Sequence, residues 1–203
     1  MSTKKGSVGM ENKLSIVFAT SNLHKLQEIN DISKSKNIEF VLPPAGFEPI
    51  ENGYDFEQNS FIKAHCAASS SNRISLADDS GLCVEALNGE PGIYSARYAS
   101  TPDERIDKLL KNMKGKSNRN AKFVCVMTLV DVYGNILTQQ RGECCGQIAN
   151  EAVGENGFGY DPIFIPDGYN ITIAEMSEDL KNLISHRSIA LNKILNYINS
   201  SVI

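Results

Sequence analysis

The sequence predicts an α/β domain, and three observations support this prediction. Short apolar segments that read as strands alternate with helical segments between residues 14 and 72. Two further apolar segments, 123–132 and 136–148, flank Tyr133-Gly134-Asn135 and predict a β-hairpin. A chain of 203 residues suits one domain and leaves room for two lobes around a cleft. We therefore expect a polar, disordered tail over residues 1–13 and a single domain over residues 14–203.

Composition and charge exclude several classes of protein. The chain is 41% hydrophobic and 22% charged, as in ordinary globular proteins, and its net charge of −4 argues against general nucleic-acid binding. No segment is apolar enough to cross a bilayer, and residues 1–13 lack the apolar core of a secretory signal, so we expect a cytoplasmic protein. Five cysteines without Cys-x-x-Cys spacing predict reduced thiols rather than a disulfide framework or a zinc site.

The first strand, predicted at 14–19, leads through Thr20-Ser21-Asn22-Leu23-His24-Lys25 into a helix. A helix N-terminus offers free N–H groups and the positive end of a dipole to an anion. Thr20 and Asn22 add hydrogen-bonding side chains, and Lys25 adds a full charge. The segment therefore has the outline of a phosphate-binding loop, although it lacks the glycines of a Walker loop. The competing interpretation is an ordinary Asn cap followed by a surface lysine.

A second strand is predicted at 38–42, and a helix follows from about Phe56 to Asn72. Phe61, Ala64 and Ala68 share one face of that helix. Lys63 lies on a different stripe, which would let it reach a cleft, whereas an exposed lysine is the alternative.

The central stretch runs from 76 to 99 and carries two adjacent carboxylates. The apolar segment 74–77 reads as the end of a buried strand that delivers Asp78 and Asp79 into Ser80-Gly81, a pair that predicts a turn. Because neighbouring strand residues point to opposite faces, one carboxylate faces a cleft, and we expect it to be Asp79. The alternative is that these residues only cap the next segment. Beyond the turns at 88–89 and 90–92, the chain presents Tyr94, Ser95 and Arg97.

The second half contains three more helices and a glycine-rich segment. Thr101-Pro102-Asp103-Glu104 predicts a helix start, and Ser177 predicts the cap of a short helix at 178–184. Between them, glycines in 154–159 flank Phe158, which would let the ring lie flat against a planar base. A buried aromatic corner is the other interpretation of Phe158.

Ser185-His186-Arg187 begins the last predicted helix. Positive charge is unfavourable in the first turn of a helix, so this placement suggests a functional use. The guanidinium of Arg187 offers a fork of donors and His186 offers a donor or an acceptor, so the two side chains suit reading the edge of a base.

Five stretches, taken together and in order, resemble the inosine triphosphate pyrophosphatase family, whose members clear non-standard purine nucleoside triphosphates. The stretches are 20–25; Gly53 with Phe56, Asn59, Lys63 and Ala64; 77–98; 157–162; and Lys181 with 185–187. The resemblance extends from about residue 16 to residue 198. It departs from the family pattern at Ser21, where a glycine is usual, and at Gln58, where bacterial relatives often have Glu.

The resemblance implies a mixed α/β fold with an elongated curved sheet flanked by helices, a nucleotide cleft between two lobes, and a homodimer. It implies hydrolysis of inosine, deoxyinosine and xanthosine triphosphates (ITP, dITP, XTP) to the monophosphate and pyrophosphate, with Mg2+ as cofactor. By position, Asp79 is the proton acceptor or a magnesium ligand, Glu51 is a further ligand, and Phe158 stacks on the base. The other implied substrate-binding residues are Thr20, Ser21, Asn22, Leu23, His24, Lys25 and Lys63 for the phosphates, Ser80, and Gly159, Tyr160, Asp161, Lys181, His186 and Arg187 around the base.

Two alternatives remain at this point. One is a septum-inhibitor-like pyrophosphatase that prefers modified pyrimidines, against which the segment 185–187 favours a purine. The other is a nucleotide-binding regulator that has lost catalysis, which would predict a damaged acidic centre, whereas Asp78, Asp79, Lys25 and Lys63 are all present.

Overall fold

The computed structural model describes residues 13–34 and 37–201, so the tail predicted for residues 1–13 lies, apart from Lys13, outside the described residues. The strands are β1 (Leu14–Phe18), β2 (Ile38–Val41), β3 (Ser75–Val84), β4 (Asn120–Val130), β5 (Ile136–Ile148) and β6 (Phe164–Pro166). The helices are α1 (Leu23–Ser33), α2 (Phe56–Ser71), α3 (Pro102–Asn112), α4 (Glu178–Ile184) and α5 (His186–Ser200). Short 3-10 segments lie at Glu85–Leu87, Gly92–Arg97, Asp161–Ile163 and Ile173–Glu175.

The strands form one mixed sheet in the order β2-β1-β3-β4-β5-β6. The β1 strand is parallel to both of its neighbours, and all pairings from β3 to β6 are antiparallel. The mixed α/β fold is therefore confirmed. Strand β6 was not predicted, because a three-residue strand that ends at Pro166 carries almost no periodicity.

Helices begin at the residues whose side chains accept hydrogen bonds from free N–H groups. Asn22, Thr101, Ser177 and Ser185 each cap a helix in this way, and Thr101 forms a full capping box with Glu104. None of the helices within 13–34 and 37–201 is both long and apolar enough to cross a membrane.

The offset between β1 and β3 opens a crevice in the sheet. The β1 strand pairs with β3 only through Val17–Ser75 and Phe18–Leu76, whereas β4 pairs with β3 over its whole length. From Ala77 to Gly81, β3 therefore has no described strand beside this edge, and further along Cys83 forms a single β-bridge with Pro91. Crevices at the carboxyl ends of parallel strands are common ligand sites in α/β proteins.

The turn predicted at Ser80-Gly81 is wrong, because β3 continues through both residues to Val84. Ser80 pairs with Cys125 and Gly81 pairs with Val124, so β4 holds this segment extended. The glycine serves a close contact instead of a turn: a Cβ at Gly81 would lie 2.2 Å from the carbonyl oxygen of Gly92. The side-chain-free surface of Gly81 therefore lets the segment Gly92–Arg97 lie directly on β3.

Two large buried clusters lie at opposite ends of β3. The first contains Leu76 and packs the sheet against α1 and α5; the second contains Leu82 and packs it against α3 and the segment 160–173. On this face of β3, Asp78 and Ser80 lie between the two leucines. The polar residues of β3 therefore occupy the gap between two apolar cores, where a cleft forms.

Candidate active site

Neighbouring residues of a strand alternate between its faces, so β3 presents its two carboxylates on opposite sides. Asp78 shares a face with Leu76, which packs against α1 and α5. Asp79 shares the other face with Ala77, which packs against Ala64 of α2. Each carboxylate thus meets a different helix and a different lysine.

Asp78 is neutralised from two directions. Lys25 Nζ of α1 donates to both of its carboxylate oxygens, at 3.0 and 2.9 Å, and Arg187 Nη2 of α5 lies 3.3 Å from Oδ2. Burial raises the pKa of Asp78, but the charges of Lys25 and Arg187 outweigh this effect and hold the pKa well below its usual range. Asp78 therefore stays ionised and orients Lys25.

Asp79 is bound on one oxygen and free on the other. Lys63 Nζ donates to Oδ1 at 2.9 Å and lies 3.5 Å from Glu51 Oε2, whereas Oδ2 is buried and has no partner among the described residues. Burial raises the pKa of Asp79 above its usual value, and Lys63 offsets this only in part. A buried acceptor without a donor is costly, so Oδ2 is suited to bind a proton or a cation.

The segment 20–25, which the sequence predicts as a phosphate loop, contains an Asn cap and a lysine that is paired within the protein. Asn22 is an ordinary cap, because its Oδ1 accepts the N–H groups of His24 and Lys25 at 3.0 and 3.3 Å. Thr20 Oγ1 in turn accepts the N–H of Asn22. Lys25, however, is not a surface lysine, since its side chain is 19% exposed and paired with Asp78. Ser21 and Leu23 are exposed.

Gln58, where bacterial relatives often have Glu, lies at the start of α2. Its Oε1 accepts the N–H of Tyr54 at 3.2 Å, so its described contact supports the turn before the helix.

Phe158 lies under two cations. Lys181 Nζ is 4.5 Å from the ring centroid and Arg187 Cζ is 5.6 Å from it. Asp161 Oδ2 accepts Lys181 Nζ at 2.8 Å and the N–H of Phe158 at 2.8 Å. Asp161 therefore fixes both the lysine and the loop that carries the ring, and Gly157 permits this because a Cβ there would lie 2.1 Å from Oδ2.

His186 and Tyr160 are both buried, and each contacts another part of the protein. The imidazole of His186 stacks on Phe123, with centroids 4.8 Å apart, and its buried Nδ1 has no partner within the described part of the chain. Burial lowers the pKa of His186 well below its usual value, and the charges of Arg187 and Lys181 add to this effect. The ring is therefore neutral, which removes its conflict with the helix dipole. Tyr160 donates its hydroxyl to the Ser95 carbonyl at 3.0 Å.

Arg187 is 1% exposed and joins three elements. Its guanidinium donates to Glu28 Oε2 at 2.7 Å, to Asp78 Oδ2 through two nitrogens, and to Ser80 Oγ at 3.2 Å. These contacts are all with protein, although the residue also lines the cleft. Sequence reasoning missed Glu28; its position one turn after Lys25 on α1 is the only signal that pointed to it.

Three adjoining cavities form the cleft. The aromatic cavity, of about 170 Å3, is lined by Phe158, Gly159, Tyr160, Asp161, Lys181, His186 and Arg187, and also by Asn22, Lys25 and Ser80. The carboxylate cavity, of about 270 Å3, is lined by Glu51, Lys63, Asp79 and Arg97, and again by Lys25 and Ser80. An acidic cavity of about 340 Å3, lined by His24 and Glu28, shares Phe158 and Lys181 with the aromatic cavity. Thr20, Ser21 and Leu23 line none of the three.

The donor set of the carboxylate cavity fits a magnesium ion that the substrate helps to bind. Over the described part of the chain, no group of three or more His, Cys, Asp or Glu side chains surrounds one point. Asp79 and Glu51 nevertheless approach the same lysine, and Asp79 Oδ2 lacks a partner. Magnesium typically takes one or two carboxylates and completes its shell with phosphate oxygens and water.

Comparisons with known sequences agree with the family resemblance. A model of the Ham1 family matches residues 16–197. A dITP/XTP pyrophosphatase from Nostoc sp. is 43% identical over 180 residues, which cover 89% of this chain and 92% of the relative. One from Clostridium tetani is 43% identical over 196 residues, which cover 92% and 97% of the two chains.

Solved structures agree as well. A HAM1 protein from Coxiella burnetii superposes with a TM-score of 0.84 at 38% identity, covering 93% of this chain and all of the other. The Ham1 protein of Staphylococcus aureus gives a TM-score of 0.83 at 38% identity over 92% of this chain and 98% of the other.

Proposed function

Because this chain belongs to the Ham1 family, we propose that it is a hydrolase that converts ITP, dITP and XTP into the nucleoside monophosphate and pyrophosphate. Relatives that match about nine-tenths of the chain are named dITP/XTP pyrophosphatases. The activity would remove non-standard purines from the nucleotide pool. We further propose that the protein acts in the cytoplasm and that it forms a homodimer. Sedimentation at micromolar concentration would test the oligomeric state.

One observation carries this proposal: a carboxylate with a buried oxygen, unpartnered among the described residues, lines a cavity that shares two lining residues, Lys25 and Ser80, with an aromatic cavity. Asp79 and Lys63 line the first cavity, Phe158 lines the second, and Lys25 and Ser80 line both. A base that stacks on Phe158 would extend its phosphates past Lys25 towards Asp79. The ammonium groups of Lys25 and Lys63 would donate charge-assisted hydrogen bonds to phosphate oxygens.

The chemical step follows from the state of Asp79. Water attacks the α-phosphorus, the bond from that phosphorus to the bridging oxygen breaks, and pyrophosphate leaves. The proton of the attacking water passes to Asp79 Oδ2, which has no other partner, while Lys63 holds Oδ1. A raised pKa suits Asp79 to accept a proton at neutral pH.

Glu51 is the residue that would hold magnesium, together with substrate oxygens and water, when Asp79 Oδ2 accepts the proton. Where Asp79 Oδ2 binds the metal instead, it does not take the proton. When bound, magnesium neutralises phosphate charge as a Lewis acid. Lys63 positions the carboxylates of Asp79 and Glu51, because its Nζ lies within 3.5 Å of each.

Lys181 is the best-placed reader of the purine edge. One of its three N–H donors binds Asp161, which leaves two for the keto oxygen at position six of hypoxanthine or xanthine. The amino group of adenine would face those donors with a donor of its own, and such a mismatch can reject a ligand strongly. Arg187, whose contacts are to Glu28, Asp78 and Ser80, would act mainly by orienting Asp78 and hence Lys25.

The test is pyrophosphate release with magnesium from ITP, XTP, ATP, GTP and TTP. We expect strong turnover of ITP and XTP and weak turnover of ATP and TTP. Guanine shares the keto oxygen at position six, so the rate with GTP measures discrimination at position two rather than the contact with Lys181. Asp79→Asn, which removes the acceptor but keeps the shape, should lower kcat by about 10^2-fold to 10^4-fold. Asp107→Asn makes the same chemical change at an exposed position on α3 and should behave like the native protein.

Equal turnover of all five triphosphates would refute the purine-edge argument. Binding of ITP without turnover would favour the non-catalytic regulator, and preference for a modified pyrimidine triphosphate would favour the septum-inhibitor-like alternative.

A further inference from the structure

Arg97 lines the carboxylate cavity with an exposed side chain on a backbone that is held against β3. It ends the 3-10 segment Gly92–Arg97, which lies on β3. Two residues earlier, Ser95 Oγ accepts the N–H of Leu82 at 2.9 Å and donates to the Gly92 carbonyl at 2.7 Å. The segment can approach this closely because Gly81 has no side chain. The backbone that carries Arg97 is therefore tied to the strand that carries Asp79.

Arg97 is the cation of this cavity that no described carboxylate neutralises. Lys25 is paired with Asp78, and Lys63 is paired with Asp79 and lies near Glu51. Among the described residues, Arg97 makes no ion pair; its guanidinium carbon lies 5.6 Å from the ring centroid of Tyr94. Tyr94 is 59% exposed. The N–H groups of a guanidinium point outwards in its own plane. A guanidinium that lies over an aromatic ring therefore keeps these donors available to a ligand.

The order of residues along the cleft indicates which phosphates Arg97 would meet. Of the aromatic and carboxylate cavities, Phe158 lines the first alone, Arg97 lines the second alone, and Lys25 and Ser80 line both. A nucleotide whose base contacts Phe158 reaches Arg97 with the part of its phosphate chain that is furthest from the base. That part is the β- and γ-phosphates.

We propose that Arg97 binds the β- and γ-phosphates of the substrate and holds them as they leave as pyrophosphate. The inference rests on the proposed function and extends it to the recognition of the leaving group. Two parallel N–H donors match two phosphate oxygens, and the contact strengthens as negative charge accumulates on the leaving pyrophosphate.

The direct test measures binding of inorganic pyrophosphate and of inosine monophosphate by calorimetry, with the full chain. The variants are Arg97→Gln, Arg97→Lys and the control Lys116→Gln, which removes the same charge from an exposed loop position. Arg97→Gln should weaken pyrophosphate binding roughly tenfold and leave monophosphate binding unchanged, because a charge-assisted bidentate contact is lost. Arg97→Lys should recover part of the affinity, and Lys116→Gln should match the native chain.

The inference is overturned if Arg97→Gln binds pyrophosphate as the native chain does. It is also overturned if Lys116→Gln weakens binding equally, since the effect would then reflect net charge, or if monophosphate affinity falls in parallel. Equal thermal midpoints for all variants exclude a folding defect. A native chain that binds pyrophosphate through Arg97 but releases none from ITP would refute the proposed hydrolysis and leave the Arg97 site standing.

Discussion

Two adjacent aspartates, identical in chemistry, have opposite protonation properties because their neighbours differ. Lys25 and Arg187 hold the pKa of Asp78 down, whereas burial raises the pKa of Asp79. The sequence predicted opposite faces for the pair. It did not predict the partners of Asp78, because Lys25 lies 53 residues before it and Arg187 lies 109 residues after it. Strand alternation is local information, but an ion pair across the fold is not.

His186 should make stability depend on pH. Its pKa is depressed in the folded state, so between that pKa and about 6.5 the unfolded chain binds one more proton than the folded chain. The free energy of unfolding should therefore fall as pH decreases from 7.5 to 5.5, with this residue contributing up to about 1.4 kcal/mol per pH unit.

Urea unfolding at pH 7.5, 6.5 and 5.5 measures this effect, and His186→Gln is the matched comparison. The variant should show a shallower slope than the native chain. Parallel slopes would show that the imidazole takes up a proton as readily in the folded state as in the unfolded one.

Among the elements, β3 contains a residue pair that predicts a turn but is extended in the structure. Ser-Gly is a common turn pair, yet ten residues of antiparallel pairing with β4 keep it extended. The hairpin of β4 and β5, the capped helices and the first two strands were predictable from periodicity and capping residues. The close contact at Gly81 was not predictable, because it depends on a segment that returns to the strand eleven residues later at Gly92.

Gly81→Ala should therefore be more harmful than a usual Gly→Ala change in a strand. Its Cβ would lie 2.2 Å from Gly92 O and 2.7 Å from Ser95 Oγ, so the segment that carries Arg97 must move. We expect a loss of about 1–3 kcal/mol in stability and weaker pyrophosphate binding.

Gly46→Ala is the control for this change. Gly46 has a φ of 84°, and a Cβ added there would have nothing within 4 Å, so only the backbone penalty, about 1–2 kcal/mol, applies. Denaturant unfolding combined with calorimetry separates the two variants. Unchanged pyrophosphate binding in Gly81→Ala would show that the segment does not need its contact with β3.

Taken as a whole, the described part of the molecule has two large buried clusters, and the same strands contribute to both. Leu76 belongs to one cluster and Leu82 to the other, and both are fully buried in β3. We predict that the domain unfolds as one cooperative unit, because β3 and β4 contribute to both clusters. Leu76→Ala and Leu82→Ala should each cost about 2–5 kcal/mol and lower a single transition.

Tyrosine fluorescence and far-UV circular dichroism, followed together during urea unfolding, test this prediction. The two signals should give the same midpoint in the native chain and in both variants. Separate midpoints in either variant would mean that the two ends of the sheet unfold independently.

The tie between Arg187, Glu28 and Asp78 also bears on biosynthesis. These three residues come from α5, α1 and β3, which are far apart in the order in which the chain is made. When the growing polypeptide has just completed β3, it carries the adjacent carboxylates of Asp78 and Asp79. Arg187, which pairs with Asp78, is added only after more than a hundred further residues. The cleft is consequently among the last features to be completed, and a chain released before α5 would lack it.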